Sequence, residues 1–243
     1  TINWQFDQVP LHFEHAADLF DAIGDVRNAC SQRLDAAIFY LDIADYPRSE
    51  LLLRQVIDLS DRFGFHRLSS VATRSLGSVL RLTGRETESE QYAHRAIALA
   101  SIGGDLRVSG TAHVLLAQLA LHRGDLPRAA QEADRGVTDL ARIPRFLARA
   151  LAVQSRIKLL QGDLASALRS AAQAFAILQA LTRLGTDEVL VRTSYADVLE
   201  KMGVEASARS VLQEGRARLL SQAGAIQDVA VRQRFLAQPE FAE

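Results

Sequence analysis

The sequence is poor in the residues on which many metal-binding and stacking sites depend. Its 243 residues include one cysteine, one methionine and one tryptophan, and aromatic residues make up only 6%. The lone Cys30 excludes an internal disulfide and a cysteine-based metal site, and it favours a cytoplasmic protein. With so few aromatic rings and a net charge of −1, binding of nucleic acid through this segment is not expected.

Long apolar runs and catalytic motifs are also missing. No stretch approaches the ~20 apolar residues of a membrane span, and three acidic residues among the first twenty argue against a signal peptide. There is no phosphate-binding loop, dinucleotide fingerprint or H-E-x-x-H motif. His12, His15 and Asp18 could form a weak metal face, but a solvated helix turn is the favoured interpretation. We therefore predict a cytoplasmic, non-enzymatic protein without metal, cofactor or membrane contact.

What the sequence does contain is an internal repeat. The segment from Gly124 to Leu140 begins with Gly-Asp, has Pro127 near the start of a second helix, and continues with small and apolar residues. Corresponding segments start at residues 44, 84, 162 and 203, so successive spacings are 40, 40, 38 and 41 residues. A fixed period of about 20 to 50 residues is typical of solenoids. Two helices and two short turns fit within such a repeat.

Small residues recur at three matched positions of the repeat. Seven residues before each turn residue are Ala37, Gly77, Ala117, Ser155 and Ala196. Five residues after it are Ser49, Ser89, Ala129, Ala167 and Ala208, and twelve after it are Val56, Ala96, Gly136, Ala174 and Gly215. Because small side chains let helices approach closely, the three columns predict where paired helices touch.

These columns and the Gly-Asp turn resemble the tetratricopeptide repeat (TPR) over roughly residues 12–220. The resemblance implies an all-α fold, a right-handed α-solenoid of helix-turn-helix repeats with about twelve helices. We expect one superhelical domain: an N-terminal cap and half repeat (1–25), five repeats of about 40 residues (26–220), and a C-terminal capping helix and tail (221–243). Ile226, Val229, Val231, Phe235 and Leu236 would cover the last repeat, whose outer face needs a cap.

A second resemblance concerns the context of the array. Turns such as L-F-x-x-I-G-D and the ending I-x-D-x-x-x-R-x-x-F-L (Ile226 to Leu236) are similar to helical arrays of bacterial signalling ATPases and maltose-activator-type transcriptional regulators. This implies a sensing or restraining role beside a catalytic or DNA-binding part. Since the chain begins with Thr1, we expect it to be a fragment of a larger bacterial regulator.

Charge is distributed unevenly along the chain. Residues 1–63 carry 11 acidic and 5 basic residues, a net charge of −6. Residues 141–186 carry seven basic residues against Asp163 alone, a net charge of +6. Opposite charges could steer a partner or a second copy and so favour self-association, while an uneven solvated surface is the simpler interpretation.

The TPR resemblance implies a concave groove lined by the first helix of each repeat. Matched positions on these helices assign the groove to Arg74, Ser78, Arg81, Val114, Gln118, Leu121, Arg156 and Asp197. Arg149 is added because Arg149 and Arg156 repeat the seven-residue spacing of Arg74 and Arg81. Arginines spaced by two helical turns would suit an acidic or carboxylate-bearing peptide, because guanidinium groups pair bidentately with carboxylates. Alternatively, these arginines pair with neighbouring acids or lie on the rim.

Two functions follow from this architecture. The first is a protein-protein interaction or regulatory module that binds a peptide or protein partner in the groove. The second is a domain that senses a small-molecule inducer in the same groove. Binding of nucleic acid along the basic stretch is the weakest hypothesis.

Overall fold

Twelve α-helices make up the regular structure of the part of the chain that can be described. The computed structural model describes residues 8–181, 187–238 and 241, and no strand occurs among them. The helices are α1 (Val9–Ala22), α2 (Val26–Asp42), α3 (Tyr46–Phe63), α4 (His66–Leu82), α5 (Glu86–Gly103), α6 (Leu106–His122), α7 (Leu126–Leu140), α8 (Pro144–Leu160), α9 (Leu164–Ala180), α10 (Asp187–Lys201), α11 (Glu205–Gly224) and α12 (Val229–Leu236). The predicted all-α class and helix number are confirmed. No helix in the described ranges is long and apolar enough to cross a membrane.

Most helices end at a residue with a left-handed backbone, where glycine carries no Cβ penalty. These residues are Gly24, Ala44, Gly64, Gly84, Gly104, Gly124, Gly162 and Gly203. From residue 24 to residue 124 they follow one another every twenty residues. The 40-residue repeat is therefore two helix-and-turn segments of equal length.

An aspartate directly after the left-handed residue begins the next helix in five of these turns. Its carboxylate accepts a hydrogen bond from the backbone N–H three residues later, at 3.0–3.4 Å. The five are Asp25, Asp45, Asp105, Asp125 and Asp163. Such N-caps satisfy one of the backbone donors that have no partner within the helix, which explains the recurring Gly-Asp pair.

The small-residue columns lie at the contacts between paired helices, as predicted. Ser49 Oγ donates to the carbonyl of Ala37 at 2.8 Å, and Ser89 Oγ donates to that of Gly77 at 2.7 Å. In the fourth repeat the direction reverses, and Ser155 Oγ donates to the carbonyl of Ala167 at 2.9 Å. These buried hydrogen bonds show that the first and second columns face each other in three of the five repeats.

The chain divides into two compact units. Unit 1 comprises the described residues of 1–104 and 221–242, and unit 2 comprises those of 105–220. In unit 1 each helix from α1 to α5 packs on the next, and the first helices α2 and α4 also touch. In unit 2 the same order holds from α6 to α10, with α8 contacting both α6 and α10. The expectation of one continuous superhelical domain stays a prediction.

Ion pairs join the second helices of unit 1. Glu50 on α3 accepts hydrogen bonds from Arg54 on the same helix at 2.8 Å and from Arg85, the residue before α5, at 2.9 Å. The Arg85 guanidinium, and then Arg54, hold the pKa of the Glu50 carboxyl below its ordinary value of 4.5. Arg95 and Asp61 form a further pair at 2.5 Å between α5 and α3.

Glu50 should therefore contribute to acid-sensitive stability. A carboxyl whose pKa is lowered by folding stabilises the folded state above its unfolded pKa, and this stability is lost as the pH falls below about 4.5. We expect Glu50→Gln to lower the free energy of unfolding at pH 7 and to flatten its decline between pH 5 and 3, as measured by urea denaturation. Asp58→Asn, in an exposed pair with Arg62, is the control and should leave the profile unchanged.

The C-terminal segment differs in part from expectation. The sequence predicts a capping helix and tail over residues 221–243, whereas α11 continues to Gly224 and α12 begins only at Val229. Of the five apolar side chains assigned to the cap, Ile226 and Phe235 are buried but Val229 and Leu236 are exposed. The segment also reaches the α2–α3 turn of unit 1, since Gln238 Nε2 donates to the carbonyl of Asp42 at 3.1 Å.

Candidate partner-binding site

Three of the nine predicted groove residues lie in unit 1, all on α4. Arg74, Ser78 and Arg81 are half-buried, while the residues between them, such as Leu76 and Leu80, are fully buried. Their spacing of four and three residues places them on one face of the helix. The prediction that they share a face is therefore consistent with the burial pattern of α4.

The other six candidates lie on the first helices of unit 2. Gln118 and Leu121 on α6, Arg156 on α8 and Asp197 on α10 are half-buried. Val114 differs, because it is 2% exposed and belongs to the apolar core of the unit. Its side chain fills the space beside Gly136, where an added Cβ would lie 2.8 Å from Val114 Cγ2. We therefore leave Val114 out of the surface proposed below.

The sixth candidate, Arg149, joins the three first helices of unit 2. Its Nη1 donates to Asp187 Oδ1 on α10 at 2.5 Å, and its Nη2 donates to Gln118 Oε1 on α6 at 3.3 Å. We call this arrangement the Gln118–Arg149–Asp187 ladder. Arg149 thus pairs with a neighbouring acid, which is the alternative considered for the groove arginines in the sequence analysis. Asp187 was missed by the groove assignment, although its position 38 residues after Arg149, about one repeat, is a usable signal.

A second polar cluster, which links α10 to α11 around the buried Arg192, was also missed. Arg192 is 3% exposed; its Nε donates to Glu188 at 2.9 Å and its Nη2 to Glu214 at 3.0 Å. Its guanidinium lies 5.6 Å from the ring centre of Phe175. Arg192 holds the pKa of the Glu214 carboxyl below its ordinary value. Gly215 is small because a Cβ there would lie 2.7 Å from Arg192 Cδ.

One histidine of unit 2 contacts a carboxylate between paired helices. His113 Nδ1 lies 2.6 Å from Glu132 Oε2, and Glu132 also accepts from Arg135 at 3.1 Å, so this group joins α6 to α7. Within the described ranges, no three His, Cys, Asp or Glu side chains come together as a metal site would require. These groups hold helices together in the repeats.

A cleft of about 420 Å³ lies where α10 ends and α11 begins. It is lined by Glu200, Glu205, Arg209 and Leu212, of which only the last is apolar. Small-molecule sites are predominantly apolar with a few polar groups. The composition of this cleft therefore does not favour a ligand pocket, and none of the predicted groove residues lines it.

Comparison with known proteins places the fold. No family model matches the chain, and no curated protein matches its sequence. Among solved structures it is similar to BtubC (BKLC) of P. vanneervenii, with a TM-score of 0.63, 15% identity, and coverage of 92% of this chain and 93% of that one. It is also similar to a kinesin-light-chain-like protein of Podospora anserina with nearly identical TPR-like repeats. There the TM-score is 0.53 at 15% identity, with coverage of 82% and 97%.

Similarity at this level of identity concerns the fold. It agrees with the 40-residue period, the Gly-Asp turns and the buried small-residue columns. The resemblance to bacterial signalling ATPases and maltose-activator-type regulators stays a prediction. The chain has an all-helical fold of TPR-like helix-turn-helix repeats.

Proposed function

We propose that this chain is a non-catalytic protein-interaction module that binds a polypeptide partner on one face of unit 2. This first-helix face comprises Gln118, Leu121, Arg149, Arg156 and Asp197. The observation that carries the proposal is the Gln118–Arg149–Asp187 ladder. It aligns an amide, a guanidinium and a carboxylate across α6, α8 and α10. A row of fixed donors and acceptors on rigid helices is suited to a peptide that crosses them, because little side-chain freedom is lost on binding.

The proposed partner segment is acidic. Arg149 and Arg156 lie on the same helix seven residues apart, within the stretch 141–186 whose net charge is +6. A partner carboxylate would replace Asp187 at the Arg149 guanidinium, because the two parallel N–H donors of arginine can pair with either carboxylate. Binding would then weaken as salt is added, because exposed charges are screened.

The proposed context is the one that the sequence resemblance implies. The array would serve as the regulatory part of a larger cytoplasmic signalling or transcription regulator of a bacterium. The opposite charges of residues 1–63 and 141–186 would also allow self-association. The sequence around this segment in its gene, and the mass of the protein in solution, are the direct tests.

The binding face can be tested by site-specific photo-crosslinking. A benzoyl-phenylalanine at Leu121, half-buried on the first-helix face, should form adducts with a polypeptide from the native host. The same residue at Gln173, exposed on second helix α9, is the matched control and should not. Adding Arg156→Glu to the Leu121 variant should reduce adduct formation at least about tenfold at low salt. Equal adducts at both positions would contradict the assignment.

The inducer-sensing alternative makes a different prediction in the same system. A metabolite that binds the folded chain raises its melting temperature by mass action. A strong thermal shift with a metabolite, without polypeptide adducts at Leu121, would favour that alternative. Adducts at Leu121 that Arg156→Glu abolishes would favour the interaction module.

A further inference from the structure

The C-terminal segment is anchored to the α2–α3 turn of unit 1 by a buried glutamine. Gln238 is 5% exposed, and its Nε2 donates to the carbonyl of Asp42, the last residue of α2. The last carbonyls of a helix have no partner within the helix. The amide of Gln238 therefore satisfies a backbone acceptor that the helix itself leaves open.

A second anchor shares the N-cap of α3. Asp45 Oδ1 accepts from the backbone N–H of Arg48 at 3.4 Å, while Asp45 Oδ2 lies 3.5 Å from Arg234 Nη2 on α12. One carboxylate thus caps α3 with one oxygen and faces α12 with the other. Between the two polar anchors, the Phe235 side chain is 7% exposed, with the Phe241 ring 5.2 Å away in an edge-on arrangement.

The docking of α12 depends on few contacts, which favours reversible attachment. Helix α12 has eight residues, and helices this short are marginal on their own in water. Its order therefore depends on docking. Nearly half of the Arg234 side chain is exposed, so its pairing with Asp45 is weakened by salt. Val229 and Leu236 point away from the protein interior, at 62% and 38% exposure.

An acidic side chain at the α2–α3 turn, Asp45, faces α12. Residues 1–63 carry a net charge of −6, and Asp45 is placed among them by its capping role. The segment that lies there brings Arg234 and Arg232 with it, and Arg232 is held by the carbonyl of Ile226 at 2.9 Å. The charges of Arg234 and Asp45 are thus complementary, although residues 225–243 as a whole carry two basic and three acidic residues.

We propose that the α2–α3 turn is a docking site for an arginine-bearing helical segment and that α12 is its resident, exchangeable occupant. The features that the site recognises are an arginine for Asp45 and, four residues later, an amide donor for the carbonyl of Asp42. Those are Arg234 and Gln238 in the resident. A partner helix with the same two groups binds by displacing α12. The site uses residues other than those of the first-helix face proposed above.

The test uses the full chain and a fluorescent peptide of residues 225–243. In the wild type the resident occupies the site, so the peptide binds only to molecules in which α12 is undocked. The apparent affinity for the peptide is therefore lower than the intrinsic affinity, in proportion to the fraction of such molecules. The double variant Arg234→Glu with Gln238→Ala disables the resident only. We expect it to bind the wild-type peptide at least about tenfold more tightly than the wild-type chain does, and amide exchange over residues 229–236 to accelerate.

Two further variants make the result specific. Gln233→Glu adds a negative charge at a neighbouring exposed position of α12 and should leave peptide affinity at the wild-type level. Asp45→Asn keeps an N-cap for α3, because asparagine caps helices as well as aspartate does, but it removes the charge. Introduced into the double variant, it should abolish the gain in affinity. Equal peptide affinity of wild type and double variant, or a gain that survives Asp45→Asn, would overturn the proposal.

Discussion

Replacing Arg192 by leucine will lower the free energy of unfolding by about 3–5 kcal/mol, the usual cost of leaving a buried charge without its partner. Arg192 and Glu188 are both almost fully buried, at 3% and 6% exposure. Without the guanidinium, Glu188 is left with the half-exposed Arg218 at 3.6 Å. Chemical denaturation of the wild type and variant measures the loss directly.

Two comparison variants separate the buried pair from its exposed surroundings. Arg218→Ala removes an exposed member of the same cluster and should cost no more than about 1 kcal/mol. The double variant Arg192→Leu with Glu188→Leu removes both buried charges, and it should recover much of the stability lost by the single variant. A single variant as stable as the wild type would show that Arg192 is not buried in solution.

Gly110→Ala should destabilise unit 2 by about 1–3 kcal/mol through overpacking, even though alanine is the better helix former. A Cβ at residue 110 would lie 2.6 Å from Leu140 Cγ and 2.9 Å from Asp139 Cβ. Leu140 is fully buried in the core of unit 2 and has no room to move away. The helices α6 and α7 would have to separate.

A glycine-to-alanine substitution at a position without close neighbours provides the matched control. Gly103 is the last residue of α5, has no atom within 4 Å of an added Cβ, and is exposed. Gly103→Ala should therefore be neutral or stabilising by up to about 1 kcal/mol. Calorimetry of both variants gives the comparison. A Gly110→Ala protein that melts no lower than Gly103→Ala would mean that α6 and α7 do not cross at this point.

The positions of the helices and of their contacts could be predicted from the sequence because they repeat. Ala117 and Ala129, for example, belong to columns of small residues that recur in all five repeats, and both are fully buried. Five aligned copies of one pattern average out the variation of any single segment. The N-caps are predictable for the same reason, since a Gly-Asp pair fixes both the end of one helix and the start of the next.

The polar contacts could not be predicted in the same way. The pairing of Arg149 with Asp187, and of Arg192 with Glu214, occurs once each and depends on how a long side chain turns between neighbouring helices. A period assigns such residues to a face but does not choose their partners. The contact between Gln238 and Asp42 joins residues 196 positions apart, so no local pattern could indicate it.

The stacking of Phe175 on Tyr195, with ring centres 4.8 Å apart, has a practical consequence for spectroscopy. Tyr195 is the single tyrosine within residues 105–220, and the one tryptophan of the chain is Trp4. Fluorescence excited at the red edge of absorption therefore originates outside unit 2. The stack holds Tyr195 in a fixed chiral setting, but Tyr40, Tyr46 and Tyr92 absorb in the same phenol band. The difference between the near-ultraviolet dichroism of the wild type and that of Tyr195→Phe is therefore a label-free optical probe of the last repeat of unit 2.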